Sequence, residues 1–347
     1  MDNKYYDDGK RLAMDARPVL SIVVPVYNET EVLPKFYSRL AAVLRTIQLP
    51  PEIVFVNDGS TDLSLQAMRD LQAGDTRIAI VNLSRNFGKE IAITAGLDHV
   101  RGEAAVVIDA DLQDPPEVIP QLLEKWREGY DVVYARRRER HGETWLKRTT
   151  AALFYKIMRH IGDMPIPENT GDFRLLNRRC LDAVVSCRER RRFMKGLFAW
   201  VGFKQTAVIY DRAPRFAGKT KWNYWRLWNL AIEGITSFTI APLKLATYLG
   251  LVTAVGALLY AAYILGRTLV LGRELPGYAS LMVAILFIGG VQLIAMGVIG
   301  EYVGRIFVEA KGRPLYLVDA YIASHPVESS NRETTSDRRI ATLEPSI

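Results

Sequence analysis

Cysteine and histidine are scarce in this sequence of 347 residues, and two common phosphate-binding motifs are missing. The two cysteines, Cys180 and Cys187, and four scattered histidines argue against a disulfide framework or a zinc site. No G-x-G-x-x-G or P-loop follows the first apolar run, which counts against dinucleotide oxidoreductases and P-loop phosphoryl transfer. The net charge of +7 comes without a recognised nucleic-acid-binding motif. It therefore favours an anionic membrane surface or phosphorylated ligands over nucleic acid.

Charge is also missing from two long windows near the C-terminus. No charged residue lies between Lys244 and Arg267, and none lies between Glu274 and Glu301. Each window is long enough to cross a bilayer core of about 30 Å as a helix. The alternative is a pair of buried core helices, but soluble helices of this length almost always carry a charged face. The sequence therefore predicts a two-helix transmembrane domain within residues 240–300.

The orientation of these spans follows from the flanking segments. The N-terminal residues are polar and contain no apolar signal core, so we expect the chain before the first span to stay in the cytosol. Two spans return the tail to the same side. Lys244, Arg305 and Lys311 at the inner ends fit the positive-inside tendency, although Arg267 and Arg273 in the outer loop weaken it. We expect a multi-pass protein of the cytoplasmic membrane.

The first 135 residues alternate short apolar runs with amphipathic segments. Runs rich in Val and Ile, such as "VLSIVVPVY" and "AAVVIDAD", alternate with the helical spacing of "VLPKFYSRLAAVLRTI" and "KEIAITAGLDHV". This alternation predicts an α/β fold with a mostly parallel sheet covered on both faces. Ligands bind such sheets beyond the carboxyl ends of the strands. Polar residues gather at these ends: Asn28, Glu29, Asp58, Arg85, Asn86, Asp109, Asp111 and Arg136.

The remaining segments complete the predicted organisation. Residues 222–239 carry three tryptophans, with Lys221 just before them and Arg226 between them, which favours an amphipathic helix in the headgroup plane over a core-facing aromatic stripe. The polar tail is expected to be loose. The predicted boundaries are an extension at 1–17, a catalytic domain at 18–221, the interfacial helix at 222–239, the transmembrane domain at 240–300, a cytosolic juxtamembrane segment at 301–323 and the tail at 324–347.

Asp109 and Asp111 stand in the stretch "VVIDADLQDPPE". Two residues apart on a strand, their side chains would point the same way, with Ala110 facing the other side. The pair could be an acid/base dyad, a divalent-metal site or solvated turn residues. Glycosidase dyads hold their carboxyl groups about 5 Å or more apart across a sugar. A metal site is the better fit, because Mg²⁺ or Mn²⁺ takes one or two carboxylates together with phosphate oxygens and water.

Two further carboxylates end the first two predicted strands. Glu29 belongs to "PVYNE" and Asp58 to "VNDGSTD". Acidic residues at such strand ends accept hydrogen bonds from a base or a ribose. The alternative is helix capping, which explains the neighbouring Ser and Thr residues but not the two carboxylates.

Six segments occur in order along the chain: "PVYNE", "VNDGSTD", "DADLQDPPE", "TGDFRLL", "RFAGKTKW" and "GEYVGRIFVEAKGRPLY". With them the sequence resembles the inverting family-two glycosyltransferases that load a sugar onto a polyprenyl phosphate, of the bactoprenol (undecaprenyl-phosphate) glucosyltransferase type and related to dolichol-phosphate mannose synthase. The likeness implies a GT-A, Rossmann-like domain that binds a nucleotide-diphospho-sugar with Mg²⁺ or Mn²⁺. It also implies a cytosol-facing site and a homotetramer.

The resemblance implies roles for individual residues. Nucleoside contacts are implied for Pro25, Tyr27, Glu29 and Asp58, with Asp109 at their side. Metal and diphosphate binding is implied for Asp109, Asp111 and Gln113. Binding of the acceptor phosphate is implied for Arg136 and Arg148, and binding of the diphosphate for Arg215 and Lys221. Catalysis is implied for Asp172 of "TGDFR", which positions the nucleophile or takes a residual proton, together with Asp111.

The chemistry of the residues agrees with such a reaction. The leaving nucleotide needs its developing negative charge stabilised, which a metal ion and Arg or Lys side chains supply. A phosphate acceptor is already anionic near neutral pH, since its second pKa is about 6. A strong general base is therefore less necessary than for an alcohol acceptor. A single displacement without an enzyme nucleophile inverts the anomeric centre.

Glucose from UDP-glucose, moved to undecaprenyl phosphate, is the expected reaction, and three alternatives stay open. A mannose synthase-like enzyme would use GDP-mannose instead. A processive polysaccharide synthase usually carries a Q-x-x-R-W motif and more spans, and this sequence has neither. A catalytically dead scaffold would keep the fold only. The intact Asp109, Asp111 and Asp172 argue against that last reading.

Overall fold

The computed structural model describes residues 18–138, 170–190, 192, 194–211, 241–271 and 277–324. Several predicted features lie outside these ranges: the N-terminal extension, the interfacial helix at 222–239, the tail from residue 325 onward, and the three basic residues Arg148, Arg215 and Lys221.

The described part of the chain forms an α/β domain followed by two long helices. Its eight strands are β1 (Leu20–Val26), β2 (Pro51–Asn57), β3 (Ile78–Leu83), β4 (Ala104–Val107), β5 (Val132–Arg137), β6 (Thr170–Asn177), β7 (Gln205–Tyr210) and β8 (Val318–Ile322). Its eight α-helices are α1 (Leu33–Thr46), α2 (Ser64–Gly74), α3 (Lys89–His99), α4 (Ile119–Arg127), α5 (Arg178–Ser186), α6 (Met194–Trp200), α7 (Ala241–Leu271) and α8 (Tyr278–Ala310).

The strands form one mixed sheet in the order β7-β5-β6-β4-β1-β2-β3-β8. Parallel pairing joins β1 to β2 and β4, β2 to β3, and β5 to β7. This confirms the predicted α/β fold, because parallel neighbours need the helical crossovers that the sequence alternation shows. The antiparallel part was not predicted. There β6 runs against both β4 and β5, and β8 runs against β3.

The fourth strand is shorter than the apolar run "AAVVIDAD" predicts. It ends at Val107, although the amide of Ile108 still donates to the carbonyl of Val23 at 3.0 Å. Beyond this point the chain leaves the sheet, and Leu112 has a positive φ of 61°. Ala110 is buried in the core. The period-two argument for Asp109 and Asp111 does not hold, because both residues lie beyond the end of the strand.

Two apolar layers cover the faces of the sheet. On one face α1 and α4 pack through residues such as Phe36, Leu40 and Leu122. On the other, α3, α5 and α6 pack through residues such as Ile93 and Leu197. Burial of these side chains is the main driving force for the domain. It also fixes the position of α3, whose first residue enters the candidate site.

Two long helices lie where the sequence predicts the apolar spans, and both are candidate membrane spans. Residues Leu243–Val270 and Ser280–Ala310 are long and apolar enough to cross a membrane, and neither apolar window is buried inside the protein. Within the described part of the chain, they therefore lack the burial that the alternative of core helices requires. The two helices pack against each other.

After α8 the chain returns to the α/β domain. The amide of Ser84 donates to the carbonyl of Leu317 at 3.0 Å, and β8 then pairs with β3 at the edge of the sheet. Ser324 is buried and accepts a hydrogen bond from Arg101. The sequence analysis did not predict this strand, because "LVDAYIA" lies in the segment interpreted as cytosolic and juxtamembrane.

Candidate active site

A lysine between two aspartates lies at the centre of the candidate site. The Nζ atom of Lys89, the first residue of α3, is 2.6 Å from Oδ2 of Asp109 and 2.6 Å from Oδ2 of Asp172. The antiparallel register pairs Val107 with Arg174. Continuing that register by two residues brings Asp109 opposite Asp172. The fold thus joins two residues to which the sequence assigned separate roles.

The electrostatics keep this cluster charged. Burial works against the ionisation of Asp172, but Lys89, Lys195 and Arg174 outweigh it and hold the pKa of Asp172 well below its usual range. Burial likewise opposes the charge on Lys89, but the two aspartates raise the pKa of Lys89 above its usual range. Asp172 is therefore an anion and Lys89 a cation throughout the physiological pH range.

The pKa of Asp109 is shifted in the opposite direction from the pKa of Asp172. Burial raises the pKa of Asp109 to about 6, repulsion from Asp172 and Asp114 acts in the same direction, and Lys89 opposes the rise. Asp109 therefore loses most of its proton above about pH 6, where its carboxylate can serve as a ligand or as a hydrogen-bond acceptor.

One oxygen of Asp172 has no hydrogen-bond partner among the described residues. The Oδ1 atom is buried and, among the described residues, accepts no hydrogen bond, whereas Oδ2 contacts Lys89. A buried carboxylate oxygen without a partner is costly. This oxygen is thus available to a ligand, which suits the predicted role of Asp172 toward the nucleophile.

Three buried charged residues that the sequence did not single out interact electrostatically with Asp172: Arg174 and Lys195 attract it, and Glu90 repels it. Arg174 donates from Nη2 to the carbonyl of Gly171 at 2.8 Å, and its guanidinium lies 4.0 Å from the ring centroid of Phe198. Glu90 accepts from the amide of Met194 at 3.0 Å. Burial and repulsion from Asp172 raise the pKa of Glu90 to about 7. Burial also lowers the pKa of Lys195.

Another buried carboxylate, that of Asp114, lies near the cluster of Lys89, Asp109 and Asp172. Asp114 is buried and accepts a hydrogen bond from the hydroxyl of Tyr210, and Nη2 of Arg137 lies 3.7 Å from its Oδ1. Arg137 and Arg136 are neighbours on β5, so their side chains leave opposite faces of the strand. The exposed Arg136 is the predicted phosphate ligand, whereas Arg137 is the arginine that reaches Asp114.

Asp58 ties two loops together at the carboxyl ends of the strands. Its Oδ1 accepts from the amide of Phe87 at 2.7 Å, and its Oδ2 accepts from the amide of Gly88 at 3.0 Å. Burial raises the pKa of Asp58, while these two hydrogen bonds and Arg85 oppose the rise. A carboxylate has further lone pairs, so this anchoring role leaves room for the predicted nucleoside contact.

The two motifs "PVYNE" and "VNDGSTD" lie side by side. Asn28 has a positive φ of 56°, and its Oδ1 accepts from the amide of Thr61 at 2.8 Å. The amide of Glu29 donates to Oγ of Ser64 at 2.8 Å. Tyr27 is exposed and Pro25 is half-buried on β1. The fold therefore brings all four predicted nucleoside residues to the ends of β1 and β2.

A glycine allows these loops to approach each other. Gly59 has a φ of +64°, and a Cβ atom at this position would lie 2.3 Å from the carbonyl carbon of Arg85. We expect Gly59→Ala to displace the loop and to destabilise the protein by roughly 1–3 kcal/mol. Thermal unfolding and nucleotide binding measure the two effects.

The matched control for that prediction is Gly74→Ala, because a Cβ atom there meets nothing within 4 Å. This variant should be neutral or slightly stabilising, since Ala favours a helix more than Gly does. Equal behaviour of the two variants would show that the close approach at Gly59 is unimportant.

The predicted metal ligands offer oxygen atoms in a sparse arrangement. Oδ1 of Asp111 accepts from the amide of Gln113 at 3.1 Å, and Asp109 contacts Lys89. In the part of the chain that the structure describes, no three His, Cys, Asp or Glu side chains group together to hold an ion. Such residues fit a hard divalent cation that takes its remaining ligands from phosphate oxygens and water. They do not form an all-protein cage.

Comparisons with family models and with related proteins all identify glycosyltransferases. Residues 21–185 match the model of glycosyl transferase family 2, and residues 241–306 match the GtrB C-terminal hairpin. An uncharacterized glycosyltransferase of Synechocystis sp. is 57% identical over 86% of this chain and 94% of its own length. A prophage bactoprenol glucosyl transferase homolog of Escherichia coli is 48% identical over 86% and 98%. The bactoprenol glucosyl transferase of Shigella phage SfII is 49% identical over 86% and 97%.

Proposed function

We propose, from the premise that this chain belongs to glycosyl transferase family 2, that it moves a sugar from a nucleotide-diphospho-sugar onto a polyprenyl phosphate with inversion. The observation that carries the proposal is the Lys89 bridge between Asp109 and Asp172 at the carboxyl ends of the strands. Two apolar helices follow the domain in the chain and would hold it beside a lipid substrate. The names of the bactoprenol relatives support glucose as the sugar and undecaprenyl phosphate as the acceptor.

The donor would bind across the ends of β1, β2 and β4. Asp58 and Glu29 accept hydrogen bonds from the nucleoside, and Tyr27 and Pro25 form the neighbouring surface. UDP is the expected nucleotide, and GDP is the alternative.

A divalent cation, Mg²⁺ or Mn²⁺, would be held by Asp109 and Asp111, with Gln113 beside them. When bound, it supplies positive charge that stabilises the departing nucleotide. The requirement for ionised ligands predicts weaker cation binding below about pH 6, where Asp109 keeps its proton.

The acceptor phosphate would lie beside Asp172. The free Oδ1 of Asp172 positions the phosphate through a shared proton, and Lys89 offsets the repulsion between the two anions. Four cations are proposed to bind the acceptor phosphate or the diphosphate: Arg136, Arg148, Arg215 and Lys221. Their support is the chemistry of the substrates, since both are multiply charged phosphates.

The membrane arrangement completes the proposal. The two spans would place the α/β domain and the interfacial helix at 222–239 on the cytosolic face of the cytoplasmic membrane. From the family resemblance we also expect the protein to form a homotetramer. Protease protection of the C-terminal tail in intact inverted vesicles, compared with right-side-out ones, tests the side of the membrane.

A single assay tests the reaction. Membranes containing the full chain are incubated with undecaprenyl phosphate and either labelled UDP-glucose or labelled GDP-mannose, and the products are extracted with organic solvent. A labelled acidic lipid from UDP-glucose is the expected product. A labelled lipid formed from GDP-mannose would identify GDP-mannose as the donor instead. A long polymer would identify a processive synthase. Absence of product from both donors would overturn the proposal.

A further inference from the structure

The segment after α8 contacts the parallel strands through a β-bulge. Asn82 lies opposite Ala320 and Leu83 lies opposite Val318, so Asp319 is the extra residue in β8. Its Oδ2 accepts a hydrogen bond from Nδ2 of Asn82 at 2.9 Å. The bulge thus turns the carboxylate of an edge strand toward the buried end of β3.

Asn82 is also hydrogen-bonded to a residue of β2. Asn57 lies beside it in parallel register, and Nδ2 of Asn57 donates to Oδ1 of Asn82 at 2.7 Å. Oδ1 of Asn57 in turn accepts from the amide of Ser60 at 3.2 Å. Finally, Oγ of Ser60 accepts from the amide of Asn28 at 3.1 Å. This line of hydrogen bonds, from Asp319 to Asn28, is called the asparagine relay.

On one side of the two asparagines of the relay lies a group that only accepts a hydrogen bond, and on the other lies a group that only donates one. These two groups determine how the two amides are oriented. The carboxylate of Asp319 only accepts, so Asn82 must present its Nδ2 to it and its Oδ1 to Asn57. The amide of Ser60 only donates, so Asn57 must present its Oδ1 to Ser60. The two requirements agree, and one orientation of both side chains satisfies every link.

The burial of the two asparagines makes this orientation energetically important. Asn57 is 2% exposed and Asn82 is 8% exposed, so an amide turned the wrong way would leave buried polar atoms unpaired. The charged acceptor at the end strengthens the first hydrogen bond, and aligned hydrogen bonds polarise one another. Asp319 selects the orientation of Asn82 from one end of the relay, as the amide of Ser60 does through Asn57 from the other.

We propose that Asp319 is a positioning residue for the donor nucleotide. It acts through Asn82 and Asn57 to hold the loop that carries Asp58 and Ser60 in its binding geometry. The inference rests on the proposed function, because that loop is taken to hold the nucleoside. A residue that follows both membrane spans in the chain thereby determines the geometry of a site built from the first strands.

The test uses the full-length protein in detergent and UDP as the probe, with GDP measured in parallel. Asp319→Ala should weaken UDP binding on the order of fivefold, the range expected when one hydrogen bond to an exposed side chain is lost. The KM for UDP-glucose should rise by the same factor. The kcat and the KM for undecaprenyl phosphate should stay unchanged, because the relay reaches only the nucleotide loop.

Two control variants separate this role from a merely structural one. Asp319→Asn keeps an oxygen that can accept from Asn82 and should restore most of the UDP affinity. Val318→Ala alters the neighbouring residue of β8, which takes no part in the relay, and should leave UDP affinity unchanged.

A double variant tests the link itself. If Asp319 acts through Asn57, the loss of affinity in Asn57→Ala combined with Asp319→Ala should be smaller than the product of the separate losses. The inference would be overturned if the double variant lost UDP affinity by the full product of the two single losses, or if Asp319→Ala left UDP affinity unchanged. An equal loss in Val318→Ala, or a failure of Asp319→Asn to restore binding, would overturn it as well. UDP binding needs no acceptor, so a wild-type protein that binds UDP without transferring sugar would refute the proposed function and leave this inference standing on its own measurement.

Discussion

Replacing Lys89 with methionine is expected to reduce kcat on the order of a hundredfold to a thousandfold, the range seen when one preorganised electrostatic contact is removed. Methionine keeps the length of the side chain but removes its charge. The Nζ atom contacts both Asp109 and Asp172 at 2.6 Å. Without it, two facing carboxylates repel each other, and the acceptor phosphate meets an uncompensated anion.

The pH dependence of this variant follows from the direction of the pKa shift. Lys89 lowers the pKa of Asp172, so its removal raises that pKa, and Asp172 keeps its proton to a higher pH. The acidic limb of the pH–rate profile should therefore move to higher pH. Steady-state kinetics measured at several pH values show both effects.

The matched control is Lys125→Met. Lys125 also contacts a carboxylate, with Nζ 2.8 Å from Oε1 of Glu128, but it lies on the exposed surface of α4. This variant should keep the wild-type kcat and profile. A Lys89→Met enzyme that behaves like the control would show that the bridge plays no part in catalysis.

Replacing Asp172 with asparagine should reduce kcat on the order of a thousandfold, which combines the lost charge with a lost proton acceptor. The change conserves the shape of the side chain. It removes the anion that, in the proposed mechanism, aligns the acceptor phosphate through its free Oδ1. The affinity for UDP should remain, because no nucleoside contact is assigned to Asp172.

The same substitution has a second measurable consequence at Asp109. Asp172 is one of the groups that raise the pKa of Asp109 to about 6, so the pKa of Asp109 should fall in Asp172→Asn. Divalent-cation binding should then extend to lower pH than in the wild type. Calorimetric titration with Mg²⁺ or Mn²⁺ at pH 5 and pH 7 measures this change.

Asp182→Asn provides the control for this prediction. Asp182 also forms an ion pair, with Oδ1 2.7 Å from Nη2 of Arg178 within α5, but it is exposed and lies outside the site. Normal turnover of Asp172→Asn would remove this carboxylate from the mechanism, whereas low turnover of Asp182→Asn would point to a general loss of folding.

The parts of the structure that the sequence predicted are those that depend on nearby residues. Charge-free windows predicted α7 and α8, since the length and polarity of a segment decide whether it can cross a bilayer. The alternation of apolar runs predicted the strands β1 to β4 and their crossover helices. Polar residues at the ends of these strands, such as Asp58 and Asp109, indicated the edge where the candidate site lies.

The contacts that the sequence did not predict join distant segments. The stretch "SRNFGK" that ends in Lys89 was interpreted only as a strand end and a helix start, and nothing near it indicates the two aspartates that it contacts. The antiparallel insertion of β6 next to β4 brings Asp172 to Asp109. The return of β8 to β3 brings Asp319 to Asn82.

The sequence by itself therefore determined the α/β class, the two long apolar helices and the set of acidic residues at the strand ends, because propensity, periodicity and charge act between neighbours along the chain. Only the tertiary structure decided which cation meets which anion. That choice depends on strand order and register, which come from the packing of side chains far apart in the sequence.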